Sequence, residues 1–272
     1  MFFVSIILIV LGYVISLAFS PEYFFTIMII AIIFTLGYTW ISFYNSHKIA
    51  IASVKAKEAK RSEYPDYHRL VEGLTVASGL PKPKLYVMES SQINAFASGR
   101  NPENAVVCVT TGILQKLDRR ELEGVLAHEL SHIANYDIRY ITLVTVMVGM
   151  VAIISQIFLR SLWFGGGRGG NDKSGAIFMI IGIALAILAP IVVMLVQMSI
   201  SRKREYAADA SAIKFTRNPQ GLIGALEKIK HEHTPEKKVS KAIAPLFFSN
   251  PFRNMARTHP ALDKRIAVLK SM

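Results

Sequence analysis

Four apolar runs constrain this chain before any other feature does. Phe2–Phe19, Tyr23–Phe43, Tyr140–Leu159 and Ala176–Met198 each approach the length of about 20 residues that a bilayer-spanning helix needs. Ser20, Pro21 and Glu22 interrupt the first two, so that pair predicts a helical hairpin through the membrane, the form in which backbone groups satisfy one another in lipid. A cleaved signal peptide is the competing reading of the first run. That run lacks a basic leading segment and a clean small-residue cleavage site, and a second long run follows at once. Hydrophobic residues at 52% and a mean hydropathy of +0.37 fit a chain with much of its length in lipid.

The formal net charge of +12 takes its meaning from where the charges fall. Lys48, Lys55, Lys57, Lys60 and Arg61 follow the second run, and Arg202, Lys203 and Arg204 follow the fourth. Basic residues beside membrane spans mark the cytosolic side, and an even number of spans puts both clusters there. A membrane-tethered nucleic-acid binder would interleave aromatics with its basic residues on a soluble face, and these clusters carry few, so no nucleic acid is expected. The single cysteine, Cys108, excludes an internal disulfide and a cysteine zinc cage. Its setting, AVVCV, predicts a buried, inert thiol.

The chain therefore divides into an N-terminal transmembrane hairpin (1–45), the first part of a soluble domain (46–139), a second transmembrane hairpin (140–200) and the second part of that domain (201–272). Pro65, Pro81 and Pro83 punctuate an α+β stretch in which Lys84–Met88 and Ala105–Thr110 predict strands. The connector WFGGGRGGNDKSG is flexible in composition and matches no phosphate-binding fingerprint. No repeat of fixed period is present. The expected fold is mainly α with a small β-sheet: an integral membrane protein with about four transmembrane helices and a cytosolic soluble domain.

The chemistry centres on DRRELEGVLAHELSHIANYD. Asp118 with Glu121 three residues on forms a capping box, which predicts a helix start. Leu122, Val125, Leu126, Leu130 and Ile133 give that helix an apolar face. His128 and His132 lie one turn apart on one side, so both imidazoles reach one tetrahedral zinc. Glu129 beside them suits a general base that takes a proton from a zinc-activated water. A hydrolytic zinc needs a third protein ligand and an open position. The metzincin pattern is excluded, because Asn135 and Ile138 stand where it requires glycine and histidine. After Asp137 the chain enters the membrane and crosses twice, and the first residues returned to the starting face include Glu205. Asp209 follows one turn later, placed to accept the second ring N–H of a ligating imidazole. The competing reading of Glu205 is a surface carboxylate paired with Arg202 or Lys203.

AHELSHIANYD, followed after a hydrophobic hairpin by SRKREYAADASA, resembles the HtpX-type membrane peptidases of the M48 (Ste24-like) gluzincin family. The similarity extends over most of the chain, including INAFASGRNPENAVVCVTTGIL. The resemblance implies one zinc ion per chain on His128, His132 and Glu205, with Glu129 as catalytic base and Asp209 behind the ligands. It implies a gluzincin-like catalytic domain at the inner membrane's cytosolic face, and polypeptide substrates, misfolded membrane proteins among them. Asn94, Ala95, Phe96 and Ala97 resemble the family's edge strand over the metal cleft, a place where an extended substrate pairs. An ordinary core strand end is the alternative. THPALDKRI resembles another family segment, in which His259 would hydrogen-bond substrate or the oxyanion, against a simple helix-entry turn made by Thr258 and Pro260. His231 and His233 sit in charge-rich KHEHTPEKK, which predicts a solvated loop rather than a metal site. A catalytically silent membrane scaffold is the competing function, and Glu129 argues against it.

Overall fold

A computed structural model describes residues 40–140, 203–232, 248 and 261–272, with isolated positions 29, 33, 37, 38, 183 and 187. The four apolar runs lie almost wholly outside these residues, as do the Gly-rich connector, His233 and His259. Among the described residues no helix is long and apolar enough to cross a membrane. The chain divides into two units, Met1–Phe43 with Val144–Gln197 and Tyr44–Leu143 with Met198–Met272. All elements below belong to the second.

That unit is mostly helical around a small mixed sheet. Its elements run α1 (Ser46–Ser53), β1 (Lys57–Glu58), α2 (Pro65–Ser78), β2 (Lys84–Met88), β3 (Ala95–Ser98), β4 (Val106–Thr110), α3 (Thr111–Lys116), α4 (Arg119–Ala134), α5 (203–216), α6 (Pro219–His231) and α7 (Leu262–Lys270). The sheet order is β1-β2-β4-β3. β2 and β4 pair in parallel, whereas β1 and β3 pair antiparallel to their neighbours, so β3 forms one edge.

Strand alternation sends side chains to opposite faces. Leu85, Val87, Ala95, Ala97, Val107 and Val109 enter the main core with α2, α4 and α6, while Met88, Phe96 and Cys108 pack against Ala50 of α1. Both faces are thus covered, which explains a run as continuously apolar as AVVCV. Cys108 is fully buried and unpaired, and burial pushes its thiol well above the ordinary range. Three boundaries differ from expectation by a residue: β4 starts at Val106, and β3 runs Ala95–Ser98 and not Asn94–Ala97. Asn94 precedes its strand because its side-chain oxygen accepts the Ala95 N–H at 3.0 Å, a local turn contact that competes with the ladder. His231 is the last residue of α6 and not part of a loop, since Leu222, Leu226 and Ile229 carry the helix's apolar stripe to its final turn.

α4 starts at its capping box: Asp118 Oδ1 accepts the Arg120 and Glu121 N–H groups, and Glu121 Oε2 accepts the Asp118 N–H at 2.8 Å. It then runs through the core, buried from Gly124 to Ile133. Its crossing with α6 is a backbone-to-backbone approach at two glycines. A Cβ on Gly124 would lie 2.5 Å from the Leu222 nitrogen, and one on Gly221 2.3 Å from the Arg120 oxygen. Since both obstacles are main chain, Gly124→Ala must push the helices apart. The expected cost is about 1–3 kcal/mol of stability, as for other overpacked cores, read as a lower melting temperature of the purified chain.

Candidate active site

Two helices supply the converging side chains. α4 carries His128, Glu129 and His132; α5 carries Glu205 and Asp209. On α5, Glu205, Ala208, Asp209 and Ala212 are buried at helical spacing. The small Ala208 lets α5 approach closely enough for Ser131 Oγ to donate to its carbonyl at 3.1 Å. Glu205 is 1% exposed, so the surface-carboxylate alternative does not hold.

The Nε2 atoms of His128 and His132 stand 3.2 Å apart, and Glu205 presents one carboxylate oxygen to each at 3.6 Å. Among the described residues these three form the only group whose ligand atoms converge as a metal would require. At bond lengths of about 2.0–2.1 Å a tetrahedral ion sets its ligand atoms roughly 3.3 Å apart, close to these separations.

Behind each imidazole lies an aspartate, and behind each aspartate an arginine. His128 Nδ1 is 2.9 Å from Asp209 Oδ1, and Arg265 grips Asp209 through Nη2 to Oδ1 at 2.6 Å and Nε to Oδ2 at 2.9 Å. His132 Nδ1 is 3.1 Å from Asp137 Oδ2, and Arg204 Nη1 donates to Asp137 Oδ1 at 3.0 Å. With both Nδ1 atoms turned to carboxylates, the ring protons stay there and the Nε2 lone pairs face each other. Such a pair suits a shared cation. Charge agrees: the carboxylates of Glu129, Asp137, Glu205 and Asp209, all buried, meet the guanidiniums of Arg204 and Arg265, leaving an excess of two negative charges for a divalent ion. Without metal, burial would pull the His128 imidazolium down, but hydrogen bonds to Asp209 and Glu205 override this and raise its pKa to about 9. A proton then supplies one of the two missing positive charges.

Glu129 is 2% exposed. Burial pushes its carboxyl up; His128 and His132 oppose that shift, as does a hydrogen bond from the Ala97 N–H on β3. Thr110 N–H donates to the Asn94 carbonyl at 3.0 Å, so with this register Asn94, Phe96 and Ser98 turn their backbone groups toward β4 while Ala95 and Ala97 turn theirs to the edge. The Ala95 carbonyl accepts the Phe248 N–H at 2.7 Å. The Phe248 ring packs edge-on against His128, centroids 4.9 Å apart, with the Arg265 guanidinium 4.9 Å from its own centroid.

Asp137, Arg204, Phe248 and Arg265 were not among the candidates from sequence. Arg265 had a readable signal: it shares the buried face of α7 with Leu262, Ile266 and Leu269 at helical spacing, and a charge on such a stripe needs a buried partner. Asp137 lies beyond the end of α4, where helical periodicity gives no guidance.

A buried helix presenting two imidazoles one turn apart, a carboxylate from a second helix and an acid beside them defines the metallopeptidase class. Comparison with known proteins carries the same answer. The sequence matches Peptidase family M48 over residues 61–272. A protease HtpX homolog of Thermoanaerobacter pseudethanolicus is 45% identical, covering 98% of this chain and 91% of its own. One from Streptococcus uberis is 37% identical, covering 90% of this chain and 86% of its own. The crystal structure of S. mikatae Ste24p shares the fold, with a TM-score of 0.55 at 20% identity; the match covers 97% of this chain and 62% of that one. The chain belongs to peptidase family M48 and is a metallopeptidase.

Proposed function

We propose that this peptidase is a membrane-anchored zinc endopeptidase that cuts membrane or membrane-associated polypeptides, misfolded ones among them, at the cytosolic face. The observation that carries the reading is the convergence of His128, His132 and Glu205 with Glu129 buried alongside. His128, His132 and Glu205 would hold the ion, with Asp209 fixing the His128 tautomer. When bound, zinc supplies a Lewis acid that polarises a peptide carbonyl and acidifies water. Glu129 takes the proton of the attacking water and returns it to the leaving amine. The β3 edge at Ala95 to Ala97 pairs with an extended substrate once the Phe248 N–H leaves the Ala95 carbonyl, which fixes the scissile bond near Glu129. In the same reading Asn94 and Phe96 hold that strand in place, and His259 stabilises the oxyanion. The apolar runs, with lysines and arginines at their ends, support four membrane spans and the cytosolic placement.

The detergent-purified chain tests this on an unfolded protein substrate. Cleavage is expected to stop when a chelator strips the metal and to return on adding zinc. Zinc bound without any cleavage would refute the reading.

A further inference from the structure

The two histidines are held differently. The arginine behind His128 is fully buried, whereas Arg204, behind His132, keeps 29% of its side chain exposed. Arg204 has a second partner: its guanidinium lies over the Tyr140 ring, 3.9 Å from the centroid. Tyr140 begins the third apolar run and Arg204 follows the fourth. Asp137 and Arg204, 67 positions apart in sequence, therefore meet where the chain leaves for its second apolar excursion and where it returns. We infer that Asp137, Arg204 and Tyr140 form a positioning relay for His132, in which the fastening of that excursion's two ends sets the orientation of one of the paired histidines.

The chemistry follows from the contacts. Asp137 takes the His132 N–H with one oxygen, which keeps the Nε2 lone pair free for the ion. Its other oxygen accepts from Arg204, so the carboxylate cannot turn away from the ring. Asp137 is 6% exposed and needs a counter-charge there, since a buried carboxylate without one is costly. Tyr140 gives the guanidinium a flat surface that holds its plane. Glu205 is the next residue after Arg204, so one turn of α5 delivers both the third converging carboxylate and the clamp on Asp137.

The inference rests on the metal-centre reading, and its test does not depend on proteolysis. Zinc affinity of the full-length chain in detergent is measured by competition with a chromophoric chelator for Asp137→Asn, Arg204→Gln, Arg204→Lys and the Asp137→Asn/Arg204→Gln double variant. Asp137→Asn and Arg204→Gln are each expected to weaken zinc binding about 10–100-fold, as loss of partners behind metal ligands does. The double variant should be no weaker than the worse single one, because both cut one relay. Arg204→Lys, which keeps the charge, should recover part of the loss. kcat should fall in each with KM little changed. If Arg204→Gln binds zinc as the wild type does, or if the two losses simply add, the relay is overturned. A wild type that binds zinc but cleaves nothing would refute the endopeptidase reading while leaving these affinity comparisons intact.

Discussion

Replacing Glu129 by glutamine is expected to leave zinc binding intact and reduce peptide hydrolysis by about 10²–10⁴-fold, the usual contribution of a positioned general base. Glutamine keeps the size of the side chain and an oxygen to accept the Ala97 N–H, but it takes no proton from water. Glu129 is not one of the converging donors, so metal content should hold while turnover collapses. That separation is the informative part of the experiment. The raised pKa of Glu129, caused first by burial, makes it a stronger base than an exposed glutamate. Measuring bound zinc beside the rate decides the matter, and a variant rate near the wild type's would remove Glu129 from the chemistry.

The largest loss of stability is expected from Arg265→Met. Arg265 is 0% exposed, and its guanidinium holds both Asp209 oxygens while standing 3.6 Å from Glu205. Methionine fills much of the volume but strands those carboxylates, and breaking one side of a buried ion pair costs about 3–5 kcal/mol. The pH dependence has a definite sign. Burial alone raises Asp209's carboxyl, but Arg265 and His128 outweigh it and hold the group below the ordinary carboxylate range. Its contribution to stability is therefore present above the unfolded pKa and is lost as pH falls through the folded one. Without Arg265 that depression is weakened, so the variant's deficit should be greatest at neutral pH and shrink in acid. Thermal melts of the metal-free chain at two pH values test it. A deficit that stays the same at both pH values would mean that Arg265 acts by packing alone.

What was legible in the sequence was local or topological. The capping box at Asp118 and Glu121 marked the start of α4, and one-turn spacing put His128 and His132 side by side. The proximity of Glu205 followed from asking which residues return after the second pair of apolar runs. The charges behind the histidines were not legible in this way. Asp137, Arg204 and Arg265 are three among many charged residues, and their partners lie 5, 67 and 56 positions away. Only packing distinguishes a buried arginine from a surface one, although the apolar stripe of α7 points to Arg265. Phe248 stands in a stretch without periodicity, and nothing local ties it to His128.

The distance in sequence between Asp209 and Arg265 also has a meaning in time. The histidine-bearing helix is synthesised first, and Glu205 and Asp209 come later; the arginine that neutralises them is made last, 137 positions after His128. A nascent chain thus holds the cutting helix long before the charges that organise it. The buried charges of the centre are balanced only once α7 has been made and has folded back onto α5.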